Sequence, residues 1–183
     1  MSRIKIYTAQ RMTGRMQDEM RYEAEMLNRV LANHNFECIS AVLEENIPYL
    51  HEPLADVPAE RLQTYWKKDK QLIREADLVL DYQTQNKSDG ANKEIAYARY
   101  CLWKPVIRVW NGPGGLISQM EDDMVVPTLT DAMAVILNDF GTYEKLGQWR
   151  RDMWNRCIGK WLDYQVSMNA RYGSPISVEK EIV

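Results

Sequence analysis

The sequence predicts an α/β fold with three layers, in which a mostly parallel sheet of five strands lies between helices. Short runs rich in β-branched and aromatic residues alternate with longer segments whose apolar residues recur every three or four positions. This alternation is typical of doubly wound domains of the Rossmann-like or flavodoxin-like kind, because helices join their parallel strands. We expect one domain over residues 1–141 and an amphipathic helical extension over 142–183.

The elements can be assigned in chain order. Strands are predicted at 3–9, 36–43, 77–83, 104–110 and 124–128, and helices at 16–35, 59–75, 91–103 and 130–140. Ligands of such sheets bind beyond the carboxyl ends of the strands. The loops that follow Tyr7, Gln83 and Trp110 are therefore the expected place for a functional site.

The C-terminal extension carries an apolar stripe on an otherwise charged helix. Its members recur at spacings of three and four and are Leu146, Trp149, Met153, Cys157 and Trp161. We expect this stripe to dock on the core or on a second subunit. Binding to a membrane surface is a weaker reading, because the polar face mixes both signs of charge.

Composition narrows the class of protein. The chain has 183 residues, of which 45% are hydrophobic, and a net charge of −3. That charge argues against binding to a nucleic acid polymer, whereas a small anionic ligand needs only local positive groups. The N-terminus has no apolar core of a signal peptide, and no stretch reaches the ~18 apolar residues of a membrane span. Three widely spaced cysteines fit reduced, buried thiols, so we expect a cytoplasmic protein. Because the sequence lacks a membrane span, we also expect no membrane binding.

Several common catalytic motifs are missing from the sequence. It contains no GxGxxG, no GxxxxGK[ST] and no GxSxG. The only histidines, His34 and His51, argue against a hydrolase triad and against structural zinc. We expect neither a metal nor a cofactor, and the remaining candidates are carboxylates, hydroxyls and tyrosines near the strand ends.

Two acidic residues are candidates for a functional site, but their position alone is also compatible with an ordinary structural role. Glu94 lies near the start of the third helix, where a routine first-turn acid also gains from the helix dipole. Ser88 and Gly90 precede it, and such a helix start can hold a phosphate. Asp69 lies in the charged run 67–70, which is typical of a solvated helix face.

Four segments in this order resemble the nucleoside 2-deoxyribosyltransferase superfamily over roughly residues 3–140. IYTAQRMTG resembles the family's first strand and glycine-containing loop, and DKQLIREADLVL resembles the segment with a catalytic aspartate eight residues before the strand's own aspartate. SDGANKEIAYA, followed by KPV, resembles the helix with the nucleophilic glutamate. The resemblance implies an active site of Tyr7, Asp69 and Glu94, with Glu94 as nucleophile.

Two serines are similar to those of the 2′-deoxynucleoside 5′-monophosphate N-hydrolase branch. Ser88 stands six residues before Glu94, where the transferases have an aspartate. A hydroxyl can donate to a phosphate that a carboxylate would repel. GGLISQM resembles the element that supplies a second serine, here Ser118, to the partner subunit's site. The resemblance implies that Ser88, Gly90 and Ser118 bind phosphate, and that the chain forms a homodimer or higher homo-oligomer with a shared active site.

The chain departs from the family in the first loop, at Arg11, and two residues before Glu94, at Asn92, and this adds both residues as candidate substrate contacts. The implied reaction is hydrolysis of the N-glycosidic bond of a (deoxy)nucleoside 5′-monophosphate through a glycosyl-Glu94 intermediate. Asp69 would act near the base and Tyr7 would hold the glutamate. The alternatives are a 2-deoxyribosyltransferase that exchanges bases, a non-catalytic nucleotide-binding module and a purely structural domain.

Overall fold

The computed structural model of the chain describes residues 2–12, 15–44, 58–84, 88–112 and 124–172. Its centre is a sheet of β1 (Lys5–Gln10), β2 (Glu37–Ile39), β3 (Leu78–Thr84), β4 (Val106–Trp110) and β5 (Met124–Val126). The order is β2-β1-β3-β4-β5, and all neighbouring strands are parallel. This is the flavodoxin-like order, in which the chain reverses its direction of winding between β1 and β3. The predicted fold class is confirmed.

Helices cover both faces of the sheet. They are α1 (Gln17–Asn33), α2 (Ala41–Glu44), α3 (Ala59–Glu75), α4 (Asp89–Ala96) and α5 (Leu129–Val135), and a further helix, α6 (Tyr143–Tyr172), follows them in the chain. π-Helical turns, Tyr97–Cys101 and Ile136–Phe140, continue α4 and α5. Strand residues alternate between the faces, and Tyr7, Val79 and Val106 pack with Ile73 of α3 and Ile95 of α4. We call this side of the sheet the α3/α4 face.

The predicted second strand, 36–43, is wrong in its second half. β2 ends at Ile39, and the chain then turns into the short helix α2. The carbonyl oxygen of Ser40 accepts hydrogen bonds from the amides of Leu43 and Glu44, which closes a helical turn. Local hydrogen bonding therefore overrides the β propensity of the apolar run.

The helix predicted over 91–103 corresponds to α4. It begins at Asp89, two residues before its predicted start, because Ser88 caps it. The Ser88 Oγ accepts a hydrogen bond from the amide of Ala91 at 3.3 Å. A side-chain cap also shortens the predicted fifth strand, 124–128. Thr128 Oγ1 accepts from the amide of Asp131 at 3.1 Å and so belongs to the start of α5.

Lys104 joins the end of α3 to the start of β4. Its Nζ is buried and donates to the carbonyl oxygen of Arg74 at 2.8 Å and to that of Ala76. Carbonyl groups at the end of a helix lack intrahelical partners, and a cation there both donates to them and complements the helix dipole. This contact fixes the end of the helix that carries Asp69.

The chain divides into two compact units, Met1–Leu146 and Gly147–Val183. The helix α6 runs continuously from Tyr143 to Tyr172, as the predicted extension requires, and Trp154 and Trp161 are exposed along it. The domain boundary at 141 and the docking of the apolar stripe stay predictions. No helix of the described ranges is long and apolar enough to cross a membrane.

The cysteines only partly match the predicted buried thiols. Cys38 is half-buried, and burial raises the pKa of its thiol to about 11, which makes it a poor nucleophile. Cys157 is also half-buried. Cys101 is exposed at the end of the π-helical turn, so the prediction is wrong for this residue.

Candidate active site

Glu94 is a buried acid that contacts the sheet. It lies in the second turn of α4 with only 4% of its surface exposed, so it is not a routine first-turn acid at the helix surface. Tyr7 of β1, also buried, donates a side-chain hydrogen bond to it. The structure thus brings together two residues that are 87 positions apart in the sequence.

Burial raises the pKa of Glu94 well above its usual range, because the charged form loses its hydration. The negative charge of Asp69 raises it further, and the charge of Asp81 adds a smaller effect. The hydrogen bond from Tyr7 works in the opposite direction, since it stabilises the carboxylate. A glutamate with this combination of burial and like-charged neighbours is a candidate for a functional role.

Asp69 belongs to the face of α3 that packs on the sheet. It is 8% exposed, whereas Lys67 and Lys68 beside it are exposed. Asp69 stands four residues before Ile73, which belongs to the buried apolar cluster on the sheet, and three before Leu72, which packs against that cluster. The reading of Asp69 as part of a solvated helix face is therefore wrong, and its carboxylate acts electrostatically on Glu94.

The start of α4 presents Ser88 and Gly90. Ser88 is buried, and its Oγ uses a lone pair to cap the helix, so its hydroxyl proton can still be donated to a ligand. Gly90 is exposed, and among the described residues a Cβ at this position would meet the Ser88 Oγ alone, at 3.7 Å. Packing against the described part of the chain therefore does not require a glycine at this position.

A buried ion pair on the α3/α4 face was missed from the sequence. Asp81 of β3 is fully buried, and its Oδ2 lies 2.7 Å from the Nε of Arg108, its neighbour in register on β4. The signal was present, because alternation places Asp81 on the same face as Val79 in an otherwise apolar strand.

Gln83 and Asn92 extend this polar group to the helix. Gln83 Nε2 donates to Asp81 Oδ2 at 3.1 Å and to Asn92 Oδ1 at 3.3 Å. Asn92, a predicted substrate contact, thus uses its carbonyl oxygen inside the protein. Its NH₂ group is left to donate elsewhere.

A cavity of about 230 Å³ opens where β1 and β3 end. Its walls are formed by Arg11, Arg15, Glu23, Tyr82, Gln83 and Thr84. Glu23 holds the guanidinium of Arg15 at 2.9 Å and also accepts from Gln10 Nε2 at 2.7 Å. Burial raises the pKa of Tyr82, Glu23 raises it further and Arg15 lowers it. Arg11, the second predicted substrate contact, therefore lies at the switch point of the sheet, where ligands of this fold bind.

Two further predictions concern a second subunit and a metal ion. Ser118 lies outside the described residues, so its role and the shared active site stay predictions. Within the ranges that the structure describes, no group of three or more His, Cys, Asp or Glu side chains could hold a metal ion.

Comparisons with known proteins bear on the fold. No protein-family model matches the chain, and no curated protein matches it. Among solved structures, a 2-deoxyribosyltransferase from the psychrotolerant bacterium Bacillus psychrosaccharolyticus is similar, with a TM-score of 0.54 and 19% identity over 78% of this chain and 95% of that chain. A CMP N-glycosidase from Clostridium botulinum reaches a TM-score of 0.37 and 17% identity over 58% of this chain and 71% of that chain. The chain therefore has the fold of the 2-deoxyribosyltransferase structure.

Proposed function

We propose that this chain cleaves the N-glycosidic bond of a nucleoside 5′-monophosphate, with Glu94 as the nucleophile. The observation that carries the proposal is the buried group formed by Glu94, the Tyr7 that donates to it and the nearby Asp69. Retaining glycoside hydrolysis needs two carboxyl groups, one as nucleophile and one for proton transfer. The fold shared with a 2-deoxyribosyltransferase supports the same class of reaction by analogy.

The reaction is a double displacement at C1′ of the sugar. In the form that reacts, the Glu94–Asp69 pair holds one proton, and Asp69 carries it. The Glu94 carboxylate attacks C1′ while the C1′–N bond breaks, and the base leaves with the bonding electrons and takes that proton from Asp69. Water then attacks C1′, the C1′–O bond to Glu94 breaks, and Asp69 accepts the proton of the water. The products are the free base and the sugar 5-phosphate, with both carboxyl groups returned to their initial states.

The electrostatics of the site support this chemistry. Positive charge develops at C1′ and the ring oxygen in the transition state. The two acids Glu94 and Asp69 are both buried, so their interaction with this charge is weakly screened by water. Tyr7 holds the nucleophile in one orientation and favours its ionised form.

The 5′-phosphate is assigned to the start of α4. Backbone amides at a helix start favour an anion, and the hydroxyl of Ser88, whose Oγ accepts from Ala91, can donate to it. Gly90 leaves room for close approach. Arg11, in the wall of the neighbouring cavity, adds positive charge, and Ser118 of a second subunit would complete the phosphate site.

A transferase that exchanges bases is the second candidate, because the similar solved structure is a 2-deoxyribosyltransferase. It would use the same Glu94 and Asp69 but pass the sugar to a second base. The serine at position 88 favours the monophosphate hydrolase, since a carboxylate at the same place would repel a phosphate dianion.

The decisive experiment uses a panel of ribo- and deoxynucleoside monophosphates with their nucleosides, each with and without a second free base. Free base and any new nucleoside are separated by chromatography. We expect release of free base from a monophosphate, without need for the second base. New nucleoside formed only with an acceptor base would identify the transferase, and nucleotide binding without any release would identify a binding module.

The nucleophile is tested with Glu94→Gln. This variant should lose several orders of magnitude in turnover and still bind nucleotide, because the uncharged amide cannot attack C1′. The matched control is Glu60→Gln, the same substitution at an exposed position of α3, which should keep normal turnover. Near-normal base release by Glu94→Gln would refute the assignment.

A further inference from the structure

The end of β3 contains a bulge at Gln83. Tyr82 pairs with Val109 and Thr84 with Trp110, so Gln83 has no partner on β4. The next residue, Thr84, has a φ of 55°. A β-branched residue is rare in this left-handed region, and such strain persists only where surrounding contacts fix the backbone. Bulges of this kind redirect a side chain, often next to a functional site.

The side chain of Gln83 uses its whole amide in hydrogen bonds. Its Oε1 accepts from the amide of Ser88 at 2.6 Å. Its Nε2 donates to Asp81 Oδ2 at 3.1 Å and to Asn92 Oδ1 at 3.3 Å. Since a backbone N–H can only donate, the orientation of this amide follows from its partners.

These contacts connect the first turns of α4 to the sheet. Asp81 is held in turn by Arg108, so Gln83 links a fixed ion pair to Ser88 and Asn92. The helix α4 has only eight residues before its π-helical turn. A helix this short is marginal by itself, so tertiary contacts determine its position.

Glu94 follows Asn92 by two residues on the same helix, and Gln83 also forms part of the wall of the 230 Å³ cavity. We propose that Gln83 is a positioning residue, which fixes the start of α4 and thereby the placement of Ser88 and Glu94. This inference rests on the proposed function, because it assigns those two residues to the reaction.

The site requires an amide at this position. A carboxylate at residue 83 would still accept from Ser88, but it would lose both donors and place a second negative charge against buried Asp81. Methionine has a similar length and removes all three hydrogen bonds. The variants Gln83→Glu and Gln83→Met therefore separate the effect of charge from the loss of hydrogen bonds.

The chain offers a matched control at Gln10. It is as buried as Gln83, and its Nε2 also donates to an acid, Glu23, but it lies on the opposite face of the sheet. Gln10→Glu thus creates the same contact between two carboxyl groups without touching α4. We expect it to keep the wild-type kcat and the wild-type acid limb of the pH profile.

The test measures kcat and the pH dependence of kcat/KM at a temperature at which each variant is folded by circular dichroism. Gln83→Met should lower kcat by about 10- to 100-fold, since small misplacement of reacting groups has effects of this size. Gln83→Glu should lower kcat as well, and its acid limb should move to higher pH because of the added charge near Glu94. Wild-type kcat and an unmoved acid limb in both variants would overturn the inference.

Two further measurements keep the test decisive. Asn92→Ala removes one of the three hydrogen bonds that Gln83 makes. Because Asn92 is half-buried, this change disturbs the core less, so the variant replaces the Gln83 variants if these do not fold. A wild-type kcat in that variant would then overturn the inference. Hydrogen exchange of the amides of residues 88–94 should be faster in Gln83→Met than in wild type. This measurement needs no activity, so a wild type that releases no base refutes the proposed function alone, whereas unchanged exchange refutes the positioning.

Discussion

Glu94→Gln should make the folded chain more stable at neutral pH while it removes the reaction. Burial, together with the charge of Asp69, raises the pKa of Glu94 in the folded state. The folded protein therefore retains a proton at pH values at which the unfolded chain has released it. Glutamine cannot ionise, so the variant escapes the free-energy penalty of either keeping that proton or burying the charge.

The size and the pH window of this gain follow from linkage. The unfolded side chain ionises near pH 4.5, and below that pH both states are protonated and Glu94 imposes no penalty. As the pH rises from there through the raised pKa of the folded state, the free energy of unfolding falls by up to about 1.4 kcal/mol per pH unit. For a chain of this size each kcal/mol shifts the Tm by about 2–4 °C. The difference in Tm should therefore grow by up to roughly 3–6 °C per pH unit and then level off.

Thermal unfolding between pH 4 and pH 9 measures this effect on wild type, Glu94→Gln and the control Glu60→Gln. We expect the two variants to behave alike at pH 4 and to separate as the pH rises. The acid limb of kcat/KM should lie above the usual range of a glutamate, because the nucleophile must be ionised. A Tm difference that is the same at pH 5 and pH 8 would refute this account of Glu94.

Three further substitutions test the start of α4 and the end of α3. Ser88→Asp should leave the Tm close to wild type because aspartate also caps helices, while the KM for monophosphates rises relative to nucleosides; an unchanged KM ratio would argue against phosphate at this position. Gly90→Ala should raise the free energy of unfolding in urea by about 0.5–1 kcal/mol, since alanine is the better helix former and, among the described residues, the added methyl meets the Ser88 Oγ alone, at 3.7 Å. A loss of stability would show that the methyl is not accommodated. Lys104→Met should lower the free energy of unfolding by about 1–3 kcal/mol, because the carbonyls of Arg74 and Ala76 lose their buried donor, and an unchanged urea midpoint would contradict this role.

The order of strands and helices could be predicted because burial of one side gives the apolar residues of each element a regular spacing in the sequence. Buried strands appear in the sequence as short apolar runs, and the sequences of α1 and α3 place apolar residues on one side of each helix. The errors occur where side chains or backbone groups make local hydrogen bonds at the end of an element. The turn at Ser40 and the caps at Ser88 and Thr128 all follow this pattern.

The candidate site was only partly visible in the sequence. Asp69 and Glu94 lie on different helices, and only the fold brings their charges together. A helical projection of α3 would have placed Asp69 on the apolar side with Ile73, against the reading as a solvated face. Asp81 and Gln83 were missed although they alternate with apolar residues of β3, because the bulge that aims Gln83 at α4 has no sequence signal of its own.

The distribution of charge on the α3/α4 face argues against a purely structural role for Glu94. Asp81 lies 2.7 Å from Arg108 in an ion pair, whereas the charged group with the largest effect on Glu94 is another acid, Asp69. Burying a carboxyl group among like charges destabilises the folded chain, and an apolar residue at position 94 would remove this penalty. A structural domain gains nothing from the arrangement, but a reaction that develops positive charge at a sugar carbon does. The expected stability gain of Glu94→Gln is the energetic counterpart of its expected loss of turnover, because both effects arise from the same buried charge.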